Sequence, residues 1–243
     1  LDTKVLQQCF IAWIQDVVVL SERTVVAIDG KTVRRSFQDG DRKSAIHVVN
    51  AWACENQVSL GQLKVDGKSN EIKAIPELLS LLAIKGCIIT IDAMGCQTAI
   101  AEQITSKKAD YVLAVKDNQP ELKREIVELF DLSPEELEHS EYETVEKDHG
   151  RIETCYCRQI RVDSQWLPSG ARRKGIKSVI KITGRREQRA SGETSEESRY
   201  FISSLETNAQ EAWAAVRKHW RVENSLHWSL DVSMREDDCR IRR

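Results

Sequence analysis

Long apolar runs and targeting signals are missing from this chain of 243 residues. No stretch of about 18 consecutive apolar residues occurs, the length that a helix needs to cross a bilayer, so we expect no membrane span. The start carries no secretory signal, and Leu1 is not an initiator methionine, which indicates a processed chain or a fragment. At 41% apolar residues, the chain can bury the core of one large domain, or of one domain with an insertion.

Cysteine pairs at metal-binding spacing are also missing. The seven cysteines are scattered, and Cys155 and Cys157 form a C-x-C with no second close pair to complete a zinc site. An odd, scattered set is typical of reduced thiols, so we expect a cytoplasmic protein.

An excess of positive charge is the third absence. The formal net charge is −2 and the isoelectric point is about 6.3, which argues weakly against nucleic-acid binding, since Lys and Arg neutralise phosphates. The charge is segregated, however. Residues 151–190 hold eleven basic and three acidic residues, whereas residues 120–150 hold three basic and eleven acidic ones. A plain metabolic enzyme rarely needs such segregation, although two solvated faces of opposite charge would produce the same pattern.

The predicted elements follow the order β-β-β-α-β-α-β-α after a first helix over residues 1–20. The predicted strands are 24–28, 46–53, 58–65, 87–91 and 111–115, and the predicted helices are 70–84, 97–106 and 120–130. Three leading strands followed by alternating units indicate an α/β fold, in which helices flank a mixed five-stranded sheet. This is the element order of the RNase H-like fold, and we assign its first part to residues 21–130.

Residues 131–205 have a different character. Short β-like runs at 155–162, 178–183 and 200–203 are separated by Gly, Ser and charged stretches, which predicts a β-rich insertion. A last helix begins near Asn208, with Glu211 three positions later in an arrangement like a capping box. We expect residues 206–243 to complete the RNase H-like core with this helix.

Two aspartates end predicted strands. In the RNase H-like fold the first and fourth strands are neighbours, and here Asp29 and Asp92 end them. Because adjacent strands lie about 4.8 Å apart, we expect the two carboxylates to lie close together. Either aspartate alone would more often be a turn residue or a helix cap.

A glutamate lies on the apolar stripe of the last helix. The positions at i+3/i+4 spacing are Ala209, Ala212, Val216, Trp220, Glu223, His227 and Leu230. A buried glutamate is costly unless it pairs with an arginine, lies at the edge of the stripe or binds a metal. Together with Asp29 and Asp92, Glu223 would make a set of hard oxygen ligands suited to Mg²⁺ or Mn²⁺. Two such ions about 3.5–4 Å apart can activate a nucleophile and stabilise a leaving oxygen.

Four motifs together resemble a known family. They are AIDGK at 27–31, TIDAMGCQ at 90–97, DHGRIE at 148–153 and HWRVENSLHW at 219–228. The set is similar to the H-repeat-associated insertion-sequence transposases, a branch of the DDE superfamily with an RNase H-like catalytic domain. The resemblance covers nearly the whole chain. It implies that Asp29, Asp92 and Glu223 are the catalytic triad and the metal ligands, and that two ions of Mg²⁺ or Mn²⁺ are bound.

The same resemblance carries expectations about partners. Double-stranded DNA at element ends and target is the expected partner, with a homodimer on the DNA and a location at the bacterial nucleoid. Related transposases with an insertion also use a Tyr–Arg–Glu–Lys signature. Val216, His219 and Leu230 stand where its Tyr, Arg and Lys would fall, so those roles do not transfer.

Basic residues near the candidate triad and in the insertion are candidate phosphate contacts. The set is Lys31, Arg34, Arg35, His149, Arg151, Arg172, Arg173, Lys174, Arg185 and Arg186. Asn224 and His227 neighbour Glu223 and could orient it or a metal-bound water. Solvated loops would explain the basic residues equally well, and plain core packing would explain His227.

Three functions fit these observations. The first is a transposase that cuts and transfers DNA strands with divalent metal ions. The second is an RNase H-like nuclease without strand transfer, and the third is a truncated, inactive remnant that only binds DNA. The intact triad favours an enzyme. The resembling family usually carries a further N-terminal segment and continues past Arg243, so the lack of both in this sequence favours the remnant.

Overall fold

One mixed sheet forms the centre of the described part of the molecule. The computed structural model describes residues 2–37, 45–65, 71–131, 137–148, 150–163, 165–170 and 172–240. The helices are α1 (Thr3–Val17), α2 (Glu71–Leu81), α3 (Thr98–Ser106), α4 (Pro120–Asp131) and α5 (Ala209–Val222). The strands are β1 (Val25–Thr32), β2 (His47–Ala53), β3 (Val58–Val65), β4 (Ile88–Ile91), β5 (Asp110–Val115), β6 (His139–Asp148), β7 (Arg151–Arg161), β8 (Ser178–Gln188) and β9 (Thr194–Ser203). The predicted α/β class and the order of its first eight elements are confirmed.

The sheet order is β3-β2-β1-β4-β5-β9-β8-β7-β6. β4 pairs in parallel with both β1 and β5, and the other neighbours are antiparallel. This is the mixed sheet expected of the RNase H-like fold, with β1 and β4 side by side at its centre.

Helices cover both faces of the sheet, and strand alternation decides which residues meet them. Val26 and Ile28 of β1 belong to one buried cluster with Leu78 of α2 and Ile100 of α3. Val25, one residue earlier on the same strand, belongs to a second cluster with residues of α5. Since side chains alternate along a strand, β1 has one face toward α2 and α3 and another toward α5. We call the second one the α5 face.

The predicted insertion joins the sheet instead of forming a separate layer. β9 pairs with β5, so β9 to β6 extend the core sheet outward. β7, β8 and β9 are longer than the predicted runs, and β6 was not predicted. β6 lies at the edge of the sheet and its sequence, HSEYETVEKD, is polar on both faces, so it lacks the apolar alternation that predicts strands.

The outer half of these four strands projects beyond the core. Val115 at the end of β5 lies opposite Tyr200, which lies opposite Lys181 of β8. β8 continues from there to Gln188, which at about 3.3 Å per residue is an overhang of about 23 Å. We call residues 142–148, 151–157, 182–188 and 194–199 the arm. Because β8 runs in the same direction as β5, the arm projects from the sheet end at which β1 and β4 carry the aspartates.

Two helices show local features of their sequences. Pro76 lies inside α2, and the helix continues past it to Leu81. Asn208 caps α5 as predicted, since its Oδ1 accepts from the backbone N–H of Glu211 at 3.2 Å. None of the described helices is long and apolar enough to cross a membrane.

Candidate active site

The first two candidate acids lie where the parallel pairing of β1 with β4 stops. Asp92 follows the end of β4 as predicted, but Asp29 does not end β1, because β1 stays paired with β2 as far as Thr32. β1 and β4 pair in parallel, with Ile28 opposite Ile91. Asp29 and Asp92 are the next residues on each chain segment. Because adjacent strands lie about 4.8 Å apart, this register brings both aspartates to one place at the sheet end. The predicted pairing of the two strands is confirmed.

Both aspartates lie on the α5 face. Ala27, two residues before Asp29, packs against the end of α5. Thr90, two residues before Asp92, is hydrogen-bonded to α5, with its Oγ1 at 3.0 Å from Nδ1 of His219. Side chains two positions apart on a strand share a face, so α5 covers the aspartates from one side.

Neighbouring backbone groups hold one oxygen of each carboxylate. The N–H of Gly30 donates to Oδ1 of Asp29 at 2.9 Å. The N–H of Met94 donates to Oδ1 of Asp92 at 3.0 Å, where Asp92 caps a short 3₁₀ turn, Ala93–Gly95. Asp92 is therefore a helix cap, as its position after a strand allowed, and this cap also fixes the orientation of the carboxylate.

A buried pair supports the strand of Asp29 from the opposite face. Nε2 of His47 lies 2.5 Å from Oε1 of Glu71, and Nδ1 of His47 lies 2.8 Å from Oγ1 of Thr32. A Cβ on Gly30 would lie only 2.5 Å from that Glu71 oxygen. Glycine is needed beside Asp29 because the pair leaves no room for a side chain.

Burial raises the pKa of Asp29. Desolvation is the largest cause, and the charge of Asp92 adds to it. Positive charge on the neighbouring His219 and His227 would lower the pKa of Asp29, as does the hydrogen bond from Gly30. Burial and the nearby Asp92 both favour the neutral form of this carboxyl group. A bound cation would stabilise its charged form and so offset both effects.

The last helix changes its winding at the third candidate acid. α5 ends at Val222, and the chain continues as a π-helical turn over Glu223–His227. Turns of this kind are rare and occur frequently at functional sites. Val222 and Leu226 both pack on Ala27 of β1, so the backbone of Glu223 lies beside the strand that carries Asp29.

The role of Glu223 as third ligand stays a prediction, because its side chain lies outside the described atoms. Among the side chains that are described, no group of three His, Cys, Asp or Glu residues could hold a metal ion. The donors described at this place are the carboxylates of Asp29 and Asp92.

The buried side of this segment differs from the predicted stripe. The sequence placed Glu223 and His227 on one continuous apolar stripe. Among the described side chains of this segment, Val222 and Leu226 are buried, and His227 and Leu230 are partly buried. The π turn adds a residue to the helical turn and so shifts which positions face the sheet. His227 keeps 15% of its side chain exposed, with Nε2 at 3.8 Å from Oδ2 of Asp29, while Asn224 is exposed.

The cations that follow Asp29 contact acids of the chain itself. Lys31 is only 7% exposed, and its Nζ lies 2.6 Å from Asp231 and 2.7 Å from Glu236. Arg34 pairs with Asp237 at 3.3 Å, and Arg35 with Asp238 at 3.0 Å. We call Asp231–Asp238 the acidic segment. It ties the end of the last helix to β1, and it leaves Arg34 and Arg35 as the exposed cations of this group.

One candidate DNA contact is buried. Arg173 is 6% exposed, and its guanidinium donates to the backbone oxygens of Ser169 and Cys96 and to Oε1 of Gln119. It thereby supports the loop after Asp92 and has no face free for a phosphate. We leave Arg173 and Lys31 out of the proposed DNA-binding set because both are buried.

The other basic candidates lie in two places. Arg151, Arg185 and Arg186 are exposed on the arm, where Arg186 pairs with Glu153 at 3.2 Å. Arg172 and Lys174 are exposed on the loop before β8. His149 lies outside the described residues.

Sequence reasoning missed two polar residues that the fold brings to this place. Thr90 precedes Asp92 by two positions, and strand alternation alone would have put it on the same face. Asn50 is buried on β2 directly opposite Asp29. Asn50 is a neighbour of Asp29 only because of the register in which β1 pairs with β2, and the sequence alone does not determine that register.

Comparison with known proteins agrees with this geometry. The family model described as "Transposase DDE domain" matches residues 20–243. "H repeat-associated putative transposase YhhI" of Escherichia coli K12 is 44% identical over 241 residues, which are 97% of this chain and 63% of that protein. "Putative transposase YncI" of Escherichia coli O157:H7 is 44% identical over 245 residues, 100% of this chain and 63% of its own length. The chain thus spans less than two thirds of the length of these relatives. The match over nearly all of its residues shows that the chain belongs to the DDE transposase family.

Proposed function

We propose that this chain is the catalytic part of a transposase that cuts DNA at the ends of an insertion element and joins the freed 3′-hydroxyl to target DNA. One observation carries the proposal. Asp29 and Asp92 directly follow the last paired residues of the parallel strands β1 and β4, under a helix that turns π-helical at Glu223. In this arrangement a phosphodiester could reach carboxylates from three separate elements.

The donor set fits a hard divalent cation. Asp29 and Asp92 offer carboxylate oxygens, and the pKa of Asp29 is raised by its burial and, to a smaller extent, by the charge of Asp92. We infer that Asp29, Asp92 and Glu223 hold two ions of Mg²⁺ or Mn²⁺. Such ions, when bound, supply activation of the attacking oxygen and stabilise the leaving oxygen.

The remaining residues have supporting roles in this proposal. The backbone N–H groups of Gly30 and Met94 hold the two carboxylates in place. His227, whose Nε2 lies 3.8 Å from Oδ2 of Asp29, would orient that carboxylate or a water beside it, and the exposed Asn224 would contact a water or a phosphate oxygen. Exposed arginines at 34–35 and on the arm would bind the DNA backbone on either side.

The partners follow from the same proposal. We infer that double-stranded DNA is bound at element ends and target, and that two copies act together, because joining two ends requires two sites. Such a protein would work in the cytoplasm at the nucleoid. Light scattering with and without DNA carrying element ends measures whether the DNA-bound form contains two copies.

A cleavage and joining assay tests the function. The chain is incubated with supercoiled DNA and with pre-cut ends in Mg²⁺ or Mn²⁺, and Asp92→Asn and Glu223→Gln are compared with the parent. Both variants preserve shape but remove a charge, so we expect cleavage to fall by at least about a hundredfold while metal-free DNA binding is retained. Asp117→Asn and Glu211→Gln are matched controls outside the site and should cut like the parent.

The alternatives predict different products. Cleavage without joining of pre-cut ends would favour an RNase H-like nuclease. DNA binding without any metal-dependent cleavage would favour the inactive remnant. Parent-level cleavage by Glu223→Gln would remove that residue from the proposed triad.

A further inference from the structure

An arginine at the base of the arm stacks on a tryptophan of α5. The guanidinium carbon of Arg199, on β9, lies 4.6 Å from the centre of the Trp220 ring. Trp220 in turn meets the buried Trp213 edge-on, with ring centres 6.0 Å apart. A guanidinium over a tryptophan face is attracted by the electrons of the ring. Trp220 therefore holds the arginine in place, and Trp213 supports Trp220 from below.

Strand pairing places Arg199 on the face that carries the aspartates. Arg199 lies directly opposite Ile182, which is buried against α5, so both side chains are on the α5 face. Asp92 is level with Ala114 of β5, which lies opposite Phe201 of β9, two residues from Arg199. Two strand spacings and two residues along the strand put the Cα atoms of Arg199 and Asp92 about 12 Å apart.

The charge of Arg199 is paired with an exposed glutamate. Nε and Nη2 of Arg199 donate to Oε1 and Oε2 of Glu197, each at 3.0 Å. The side chain of Arg199 is 39% exposed and that of Glu197 is 64% exposed, and ion pairs this open to solvent contribute little free energy. A phosphate accepts from a guanidinium in the same two-point geometry as a carboxylate. DNA can therefore replace Glu197 while the guanidinium stays on the tryptophan.

We propose that Arg199, stacked on Trp220, binds a DNA phosphate a few nucleotides from the one that is cut. This inference rests on the proposed cleavage at Asp29 and Asp92, and Arg199 was not among the predicted DNA contacts. The phosphates of one strand follow each other at about 3.4 Å along the duplex axis, so a separation of about 12 Å corresponds to three or four nucleotides. The contact fixes the strand over the carboxylates. Trp220 is a positioning residue, because it acts through Arg199.

A double-mutant cycle on DNA affinity tests the pair. Arg199→Gln removes the charge, so we expect binding of a duplex of arbitrary sequence to weaken about tenfold and the salt slope to fall by about 0.9. Trp220→Leu keeps the charge but removes the stack, and we expect a loss of about three- to fivefold, most of which Trp220→Phe should recover. In the Arg199→Gln background, Trp220→Leu should have no further effect on affinity. Fluorescence anisotropy in metal-free buffer measures each affinity, and thermal unfolding checks that each variant is folded.

Lys181→Gln is the matched control for net charge. Lys181 lies next to Ile182 on β8, but it lies over the rings of Phe130 and Tyr200 on the opposite face of the sheet. This variant should bind DNA like the parent. If Arg199→Gln also binds like the parent, the proposed contact is wrong. If the loss from Trp220→Leu is equally large in the Arg199→Gln background, Trp220 has only a structural role and the positioning is wrong.

Cleavage at saturating DNA tests whether the contact lies near the cut. There, Arg199→Gln should still cut about tenfold more slowly than the parent, because the strand is no longer fixed over the carboxylates. An unchanged rate at saturation would place the contact away from the cut phosphate and overturn that part of the inference. If the parent binds the duplex but cuts no DNA, the proposed function is wrong, while a loss in the affinity cycle still supports the phosphate contact.

Discussion

Asp29 combines a backbone anchor with an unfavourable electrostatic environment. The N–H of Gly30 fixes one oxygen, while burial and the neighbouring Asp92 raise the pKa of the carboxyl group. Ionisable residues with perturbed pKa values are frequently functional, and keeping them charged in a buried place lowers the free energy of unfolding. The metal-free protein should therefore be less stable at neutral pH than its fold alone would allow.

Asp29→Asn should stabilise the metal-free protein at pH 7. The folded carboxyl group keeps its proton to a higher pH than the unfolded one, whose pKa is about 3.8. The free energy of unfolding therefore falls as the pH rises from about 3.8 through the raised pKa of Asp29. At neutral pH the parent is less stable by that amount than it is below pH 3.8. Asparagine does not ionise, so its stability does not fall in this pH range. The melting temperature of the variant should therefore exceed that of the parent at pH 7, and the difference between the two melting temperatures should shrink toward pH 3.

Added Mn²⁺ should reverse that order. Ligand binding to the folded state stabilises it, and only the parent keeps the full donor set. Melting curves with and without Mn²⁺ measure both effects. Asp117→Asn is the control. Asp117 is exposed and its pKa is lowered by Lys123, so the effect of this substitution on the melting temperature should be the same with and without Mn²⁺. An Asp29→Asn protein that melts below the parent in metal-free buffer would contradict this account.

At the scale of elements, the sequence predicted the buried strands better than the solvated ones. β1, β4 and β5 are apolar and β-branched, so their existence and the positions of Asp29 and Asp92 followed directly. β6 is polar on both faces, and its pairing with β7 depends on contacts that no local pattern records. The π turn is equally invisible in the sequence, because a regular helix fits the same residues with Glu223 on the stripe.

The acidic segment is another contact that local patterns could not predict. Lys31 and Asp231 are 200 positions apart, and their pairing depends on where the last helix ends. The segment provides carboxylates to the three cations that follow Asp29. At the exposed Arg34 and Arg35, these carboxylates would compete with DNA phosphates for the guanidinium groups.

Neutralising the end of the acidic segment should strengthen DNA binding. In the double variant Asp237→Asn, Asp238→Asn, the exposed Arg34 and Arg35 lose their pairing carboxylates and become available to phosphates. We expect higher affinity in metal-free buffer and a steeper salt dependence, by up to about 0.9 in log–log slope for each phosphate gained. Fluorescence anisotropy across a salt series measures both quantities.

A change in total charge alone would also raise affinity, so a matched variant is needed. Glu128→Gln with Asp131→Asn removes the same two charges from the exposed end of α4. This control should change affinity little. Equal gains in both double variants would show that net charge, and not the release of Arg34 and Arg35, is responsible.

At the scale of the molecule, one sheet carries both the candidate acids and the arm that we propose to bind DNA. The four added strands continue the pairing of β5, so the arm starts from the same sheet that holds Asp29 and Asp92. Its overhang of about 23 Å exceeds the 12 Å width of the major groove of B-DNA. DNA lying between the sheet end and the arm would thus contact both at once.

Charge reversal on the arm should weaken DNA binding without changing its sequence preference. Arg151 and Arg186 share the α5 side of their strands with the buried Cys155 and Ile182, so both lie on the face that carries the aspartates. Contacts to phosphates carry no sequence information, so Arg151→Glu with Arg186→Glu should lower affinity for all duplexes alike and reduce the salt slope by about two. Anisotropy with element-end and unrelated duplexes measures both.

A second double variant tests the path of the DNA. Arg172→Glu with Lys174→Glu makes the same charge change on the loop before β8, whose Lys174 carbonyl accepts from Tyr111, a residue of the opposite sheet face. DNA that follows the arm on the α5 face should lose much more affinity from the arm variant than from this one, because distant exposed charges are screened within about 10 Å. A larger loss from the loop variant would place the DNA on the other face. The arm would then have no part in DNA binding, and the overhang would need another explanation.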